Sequence, residues 1–141
     1  MSSKRLMPMR MLSELRVEQA ENRYHEQRRV LSQQQARLDD LGRYHGEYRR
    51  MPQGDARPGL LVNRAAFAER VADAVRQQSV AVDRARQSAE LHQGYLANAR
   101  RDAEAVEKLI ARRRLLEQCR AARRLQNELD EHAARRHGAS S

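Results

Sequence analysis

Two prolines six residues apart, Pro52 and Pro58, interrupt a chain that is otherwise almost free of helix breakers, with Gly54, Asp55 and Gly59 gathered around them. Neither proline can sit inside a helix, because each lacks the backbone N–H and clashes with the preceding turn. The chain must therefore leave any helical path over about 52–62. The third proline, Pro8, is tolerable only in a first turn, which predicts one helix over about 9–51. A second is predicted over about 63–136, with Asn63 as its N-cap and 137–141 as a frayed tail. A short connection makes the two helices antiparallel neighbours. The expected fold is all-α: one antiparallel two-helix coiled-coil hairpin occupying residues 1–141 as a single domain, its second helix longer than its first.

The apolar spacing supports this. Upstream of the break Val17, Ala20, Tyr24, Leu31, Leu38, Leu41 and Tyr48 recur at threes, fours and sevens, which places them on one side of a helix. Gln27 and Gln34 fall on the same stripe, and polar seam residues of this kind weaken a coiled coil while fixing its register. Downstream, Val71, Gln78, Ala85, His92, Ala99 and Val106 form one row at steps of seven. Val75, Val82, Ala89, Leu96, Ala103 and Ile110 form a second row. Beyond Ile110, Leu115, Leu116, Cys119, Ala122, Leu125 and Leu129 continue neither row, which suggests a stutter.

The break lies far from the middle. At 1.5 Å per residue the first helix would reach about 65 Å and the second about 110 Å. Folding back about residue 57 sets Tyr48 near Phe67, Leu41 near Ala74 and Met9 near Ala105. Residues after about 106 are then expected to have no partner within the chain.

Composition narrows function. The 141 residues are 33% charged and only 4% aromatic, with Ala, Arg, Glu, Gln and Leu dominant, as in long helices. Low hydrophobicity with high charge is also a mark of disorder, but helical periodicity argues against that reading. The net charge of +9 points to nucleic acid, an anionic membrane surface or an acidic protein as partner. No apolar run approaches the ~20 residues of a membrane span. No signal-peptide pattern is evident, and the lone Cys119 excludes an internal disulfide and suits a reducing cytosol, so a cytoplasmic location is expected. No phosphate-binding or nucleophile motif occurs. His25, His45, His92, His132, His137 and Cys119 have no metal-ligand spacing, so no catalysis, cofactor or metal is expected.

Two patches are candidates for partner binding. The first is the cationic segment Arg112, Arg113, Arg114, Arg120, Arg123 and Arg124, interleaved with Leu115, Leu116 and Leu129. It reads as a solvated face neutralised by Glu107 and Glu117, as a set of phosphate contacts, or as a dock for an acidic protein surface, which explains charge and leucines together. The second lies beside the break, where Leu41, Tyr44 and Tyr48 meet Phe67, Val71, Ala74 and Gln78 on the returning helix. It reads either as a local core that pins the turn or as a protein-docking tip.

Several words in order resemble the flagellar FliJ family, soluble coiled-coil components of the type III export apparatus: "MLSELRVEQAENRY", "YHGEYRR" before a Gly-containing loop, "FAERVADAVRQQ", "YLANARRDAEAVEKLIARRR" and "LQNELDEHAARR". Tyr95 stands where that family more often has Trp. The resemblance implies a non-catalytic stalk binding the hexameric export ATPase, the membrane export-gate protein and substrate-escort chaperones, placed peripherally at the inner membrane at the flagellar base. In that family the hairpin would be the central shaft in the ring, with its tip available to the gate. Injectisome stalk proteins have a similar shape and are the alternative from the same class. A basic coiled coil binding nucleic acid or anionic membrane is the alternative from another class.

Overall fold

A computed structural model describes residues 2–50 and 58–139. Pro52, Gly54 and Asp55 lie outside the described residues. A 3-10 turn, Ser3–Leu6, leads directly into α1, Met7–Arg50, and α2 spans Pro58–Ala139. Ala, Leu, Arg, Glu and Gln are strong helix formers, and neither helix has an internal proline beyond its first turn. Proline is at home in that first turn, where its missing N–H would have no partner in any case. α2 therefore starts at Pro58 itself, and Asn63, expected as the cap, lies inside the helix.

The two helices pack against each other, the second being the longer, as the periodicity predicts. They form two compact units, Gln19–Ala97 and Met1–Glu18 with Asn98–Ser141. In the first of these the antiparallel register is visible in specific contacts. Gln27 meets Ser88, Gln34 meets Gln78, and Tyr48 meets Phe67. Val71, Val82, Ala85, Ala89 and Leu96 are buried against the half-buried stripe of α1. The polar seam residues are satisfied: the Gln78 amide donates to the Gln34 carbonyl oxygen at 2.9 Å and to its Oε1 at 2.7 Å. The Ser88 hydroxyl donates to Gln27 Oε1 at 2.8 Å, and His92 Nδ1 lies 2.8 Å from the Ser88 carbonyl. Every residue of the two α2 rows from Val71 to Ile110 is buried or half-buried.

In the other unit the pairing extends further than the sequence suggests. Leu6 is 3% exposed and Ile110 is 2% exposed, the most enclosed side chains in this unit. Arg10 Nε lies 2.6 Å from Glu107 Oε1, joining α1 to α2, and 3.4 Å from Glu14 Oε1. At the end of the pairing the Ser3 N–H donates to Glu117 Oε1 at 2.6 Å and the Ser3 hydroxyl to Glu117 Oε2 at 3.0 Å. The expectation that residues after about 106 lack a partner is thus corrected to residues after Glu117. The physical reason is that helical structure begins at Ser3, ahead of Pro8, so α1 supplies one more turn of contacts. The expected stutter is corrected as well. Both rows continue through Arg113 and Glu117, which are half-buried, while Leu115 and Leu116 are exposed. The seam does not slip; it changes from apolar to polar.

Candidate partner-binding surfaces

From Gln118 to Ala139, α2 is exposed at every position. A helix without a packed face is marginal in water, so such a segment is a natural place for a partner. Leu115 is 61% exposed, Leu129 is 55% exposed, and Leu116 and Leu125 are likewise open. Arg112, Arg114, Arg120, Arg123 and Arg124 are exposed, and Arg113 is half-buried at its seam position.

The two carboxylates beside the Arg112–Arg114 run, Glu107 and Glu117, also hold groups of α1. Glu107 pairs with Arg10, and Glu117 accepts both hydrogen bonds from Ser3. The Ser3 N–H and then its hydroxyl hold the Glu117 carboxyl below the ordinary glutamate range, with Arg114 adding a smaller push in the same direction. Among the described residues no carboxylate forms an ion pair with Arg112, Arg113, Arg120, Arg123 or Arg124. The reading of this face as one neutralised by its own acids keeps only the electrostatic pull between Glu117 and Arg114.

The second patch divides into a packed layer and an open edge. Val71 is buried, and Leu41, Ala74, Gln78 and Tyr48 are half-buried. The Gln78 amide is committed to Gln34. Phe67 lies 4.8 Å from the Tyr48 ring and 6.3 Å from the Tyr44 ring, the latter edge-on at 78°. Aromatic pairs of this geometry are worth about 0.5–1.5 kcal/mol beyond their burial. The Tyr48 hydroxyl donates to the Arg64 carbonyl at 3.3 Å, and the Arg64 guanidinium lies 5.4 Å from the Tyr48 ring centre. Tyr44 at 50% and Phe67 at 37% exposure present the apolar surface facing water.

A family profile described as "Flagellar FliJ protein" matches residues 2–141. The chain belongs to the flagellar FliJ family. No curated protein and no solved structure matches it. Membership makes it a protein related to flagellar export, of a family whose members are non-catalytic stalk or chaperone-like components. Among the described residues, no helix is long and apolar enough to cross a membrane, and no group of His, Cys, Asp and Glu could hold a metal ion.

Sequence reasoning missed Ser3, Leu6 and Arg10, and it took Glu107 and Glu117 as local partners of the arginine run, not as contacts of α1. Part of the signal was present: Leu6, Arg10, Ser13 and Val17 continue the α1 stripe at fours and threes, with Arg and Ser standing where apolar residues are expected.

Proposed function

We propose that this FliJ-family chain is a non-enzymatic coupling rod of the flagellar export apparatus. The extension of α2 past Glu117 docks on the hexameric export ATPase. The aromatic edge at Tyr44, Tyr48 and Phe67 docks on the cytoplasmic part of the export-gate protein, and export chaperones are further partners. The chain works in the cytoplasm, held at the inner membrane through its partners.

The observation that carries this reading is the extension itself: exposed leucines beside exposed arginines, with no packed face from Gln118 to Ala139. Such a surface gains from an acidic, partly apolar partner both by covering the leucines and by satisfying the charge. Charge steers encounter and sets the salt dependence, while buried apolar contact sets the lifetime of the complex. The test is binding of the full chain to purified export ATPase over a salt series. Reversal of Arg120, Arg123 and Arg124 to Glu is expected to weaken binding by at least about ten-fold and to flatten the salt dependence. The melting temperature should hardly move, because all three lie on the exposed extension past Glu117. Unchanged affinity in the reversal variant would sink the docking assignment.

A further inference from the structure

The start of α1 has a second apolar side. Leu6 and Ser13 are buried and Arg10 reaches Glu107, which fixes the side of α1 that faces α2. At about 100° per residue, Pro8, Met11, Leu12 and Leu15 gather within about 100° of one another on the opposite side. All four are exposed, Met11 at 69%, so nothing among the described residues covers them. Charge is sorted about this patch. Glu14 and Glu18 lie along one flank and Arg16 along the other, and all three are exposed. Measured along the axis, Arg16 stands midway between the two acids, about 3 Å from the level of each. Glu14 has Arg10 of its own helix at 3.4 Å, whereas among the described residues Arg16 and Glu18 form no ion pair. Lys4 and Arg5 precede the patch in the 3-10 turn and are open to water.

We propose that this face pairs with the same face of a second copy of the chain, the starts of the two α1 helices lying side by side and pointing the same way. The sorted flanks choose both the partner and the direction. About a two-fold axis parallel to the helices, the acidic flank of each copy meets the basic flank of the other, and Arg16 of one copy comes level with the gap between Glu14 and Glu18 of its mate. Turning one copy end for end would set Arg16 against Arg16 and acid against acid, which is repulsive. An acidic bilayer or a nucleic-acid backbone would be repelled by Glu14 and Glu18 at the edge of the patch. Met11, Leu12 and Leu15 supply the apolar contact, and a methionine adapts readily to the shape of its neighbour. So short a contact lies below the usual interface size of about 1,200 Å², so the pair is weak and reversible.

The experiment is sedimentation velocity of the full chain alone over a concentration series. The parent should move from monomer toward dimer as concentration rises. The L12Q/L15Q variant is expected to raise the dissociation constant at least about 30-fold, with little change in melting temperature, because both side chains face water in the single chain. R16E and E18R should each weaken pairing several-fold at low salt, and an equimolar mixture of the two should recover it, because opposite charges then face each other again across the flanks. Direction is read by oxidising the L15C/C119S variant. Position 15 meets its own copy in the parallel pair, so a disulfide-linked dimer should form, whereas the reversed pair holds the two thiols too far apart to bond. A chain that stays monomeric at every concentration, an L12Q/L15Q variant that pairs as well as the parent, or a parent dimer whose L15C/C119S variant stays unlinked overturns the proposal.

Discussion

Replacing Ile110 by Ala should move the point at which α2 parts from α1. Ile110 is 2% exposed and lies in the seam between the Arg10–Glu107 ion pair and the Ser3–Glu117 hydrogen bonds. Truncating a buried Ile to Ala typically costs about 2–5 kcal/mol, counting lost transfer energy and the cavity left behind. The polar contacts that remain cannot compensate. Exposed ion pairs contribute at most about 1 kcal/mol, and Glu107 is nearly half exposed. Loss of about 3 kcal/mol from a helix end would raise the open fraction of that end by about two orders of magnitude, since ends open locally without global unfolding. Amide exchange read by mass spectrometry would follow this directly. In the parent, peptides up to about Glu117 should be protected and those from Gln118 to Ala139 should exchange fast. In I110A the boundary should retreat to near Ala103, and the Ser3–Leu6 turn should lose protection in step. Two results would refute the reasoning: unchanged protection of 110–117 in the variant, or strong protection of 118–139 in a proven monomer of the parent.

Three further outcomes are expected. Q34L or Q78L alone should cost about 1–3 kcal/mol at most by leaving a partner amide or carbonyl unpaired, whereas Q34L/Q78L together should be near neutral or stabilising, with register loosened; thermal melts with a double-mutant cycle decide. Y48A or F67A should impair binding to the export gate's cytoplasmic domain more than it lowers the melting temperature, and proportionate loss of both would return the aromatic cluster to a purely packing role. Glu117 has a folded carboxyl pKa below its unfolded value, so its contribution is present above the ordinary glutamate range and is lost as pH falls through the lowered folded value. Exchange at the Ser3–Leu6 turn should therefore speed up only in that acidic window, and E117Q should remove the pH step.

Much of the pairing was legible because heptad spacing is a direct image of a helix face. Val71 to Ile110 and Val17 to Tyr48 line the observed seam, including Gln27 and Gln34, whose place on the stripe indicated polar layers before their partners were known. The ends were not legible, for one reason in each case. Apolar periodicity is silent where a seam continues through polar residues, so Arg10, Ser13, Arg113 and Glu117 could not be recognised as seam residues and the exposed Leu115 and Leu116 looked like a displaced continuation. The start of the second helix was placed too late, because Pro58 opens a helix as readily as Asn63 could cap one. In the candidate surfaces, the arginine cluster was plain from composition. That its neighbouring acids are engaged with α1 is a tertiary fact that local sequence does not hold.

The clasp between Ser3 and Glu117 has a consequence in time as well as space. Its two residues are 114 positions apart, whereas Tyr48 and Arg64 are separated by 16. Closure entropy rises with the length of chain enclosed, so pairing that starts beside the aromatic rings and zips toward Ser3 meets the smallest cost at each step. On a ribosome adding about 5–20 residues per second, the N-terminal turn waits roughly 6–23 s for Glu117 to be made. The α1 stripe is covered progressively from Tyr48 backwards as α2 emerges, so the order of synthesis follows the order of cheapest closure, and the Leu6 end is mated last. In a nascent chain of this kind the Ser3–Arg10 end of α1 stays bare longest, which makes that end the one most in need of a temporary escort.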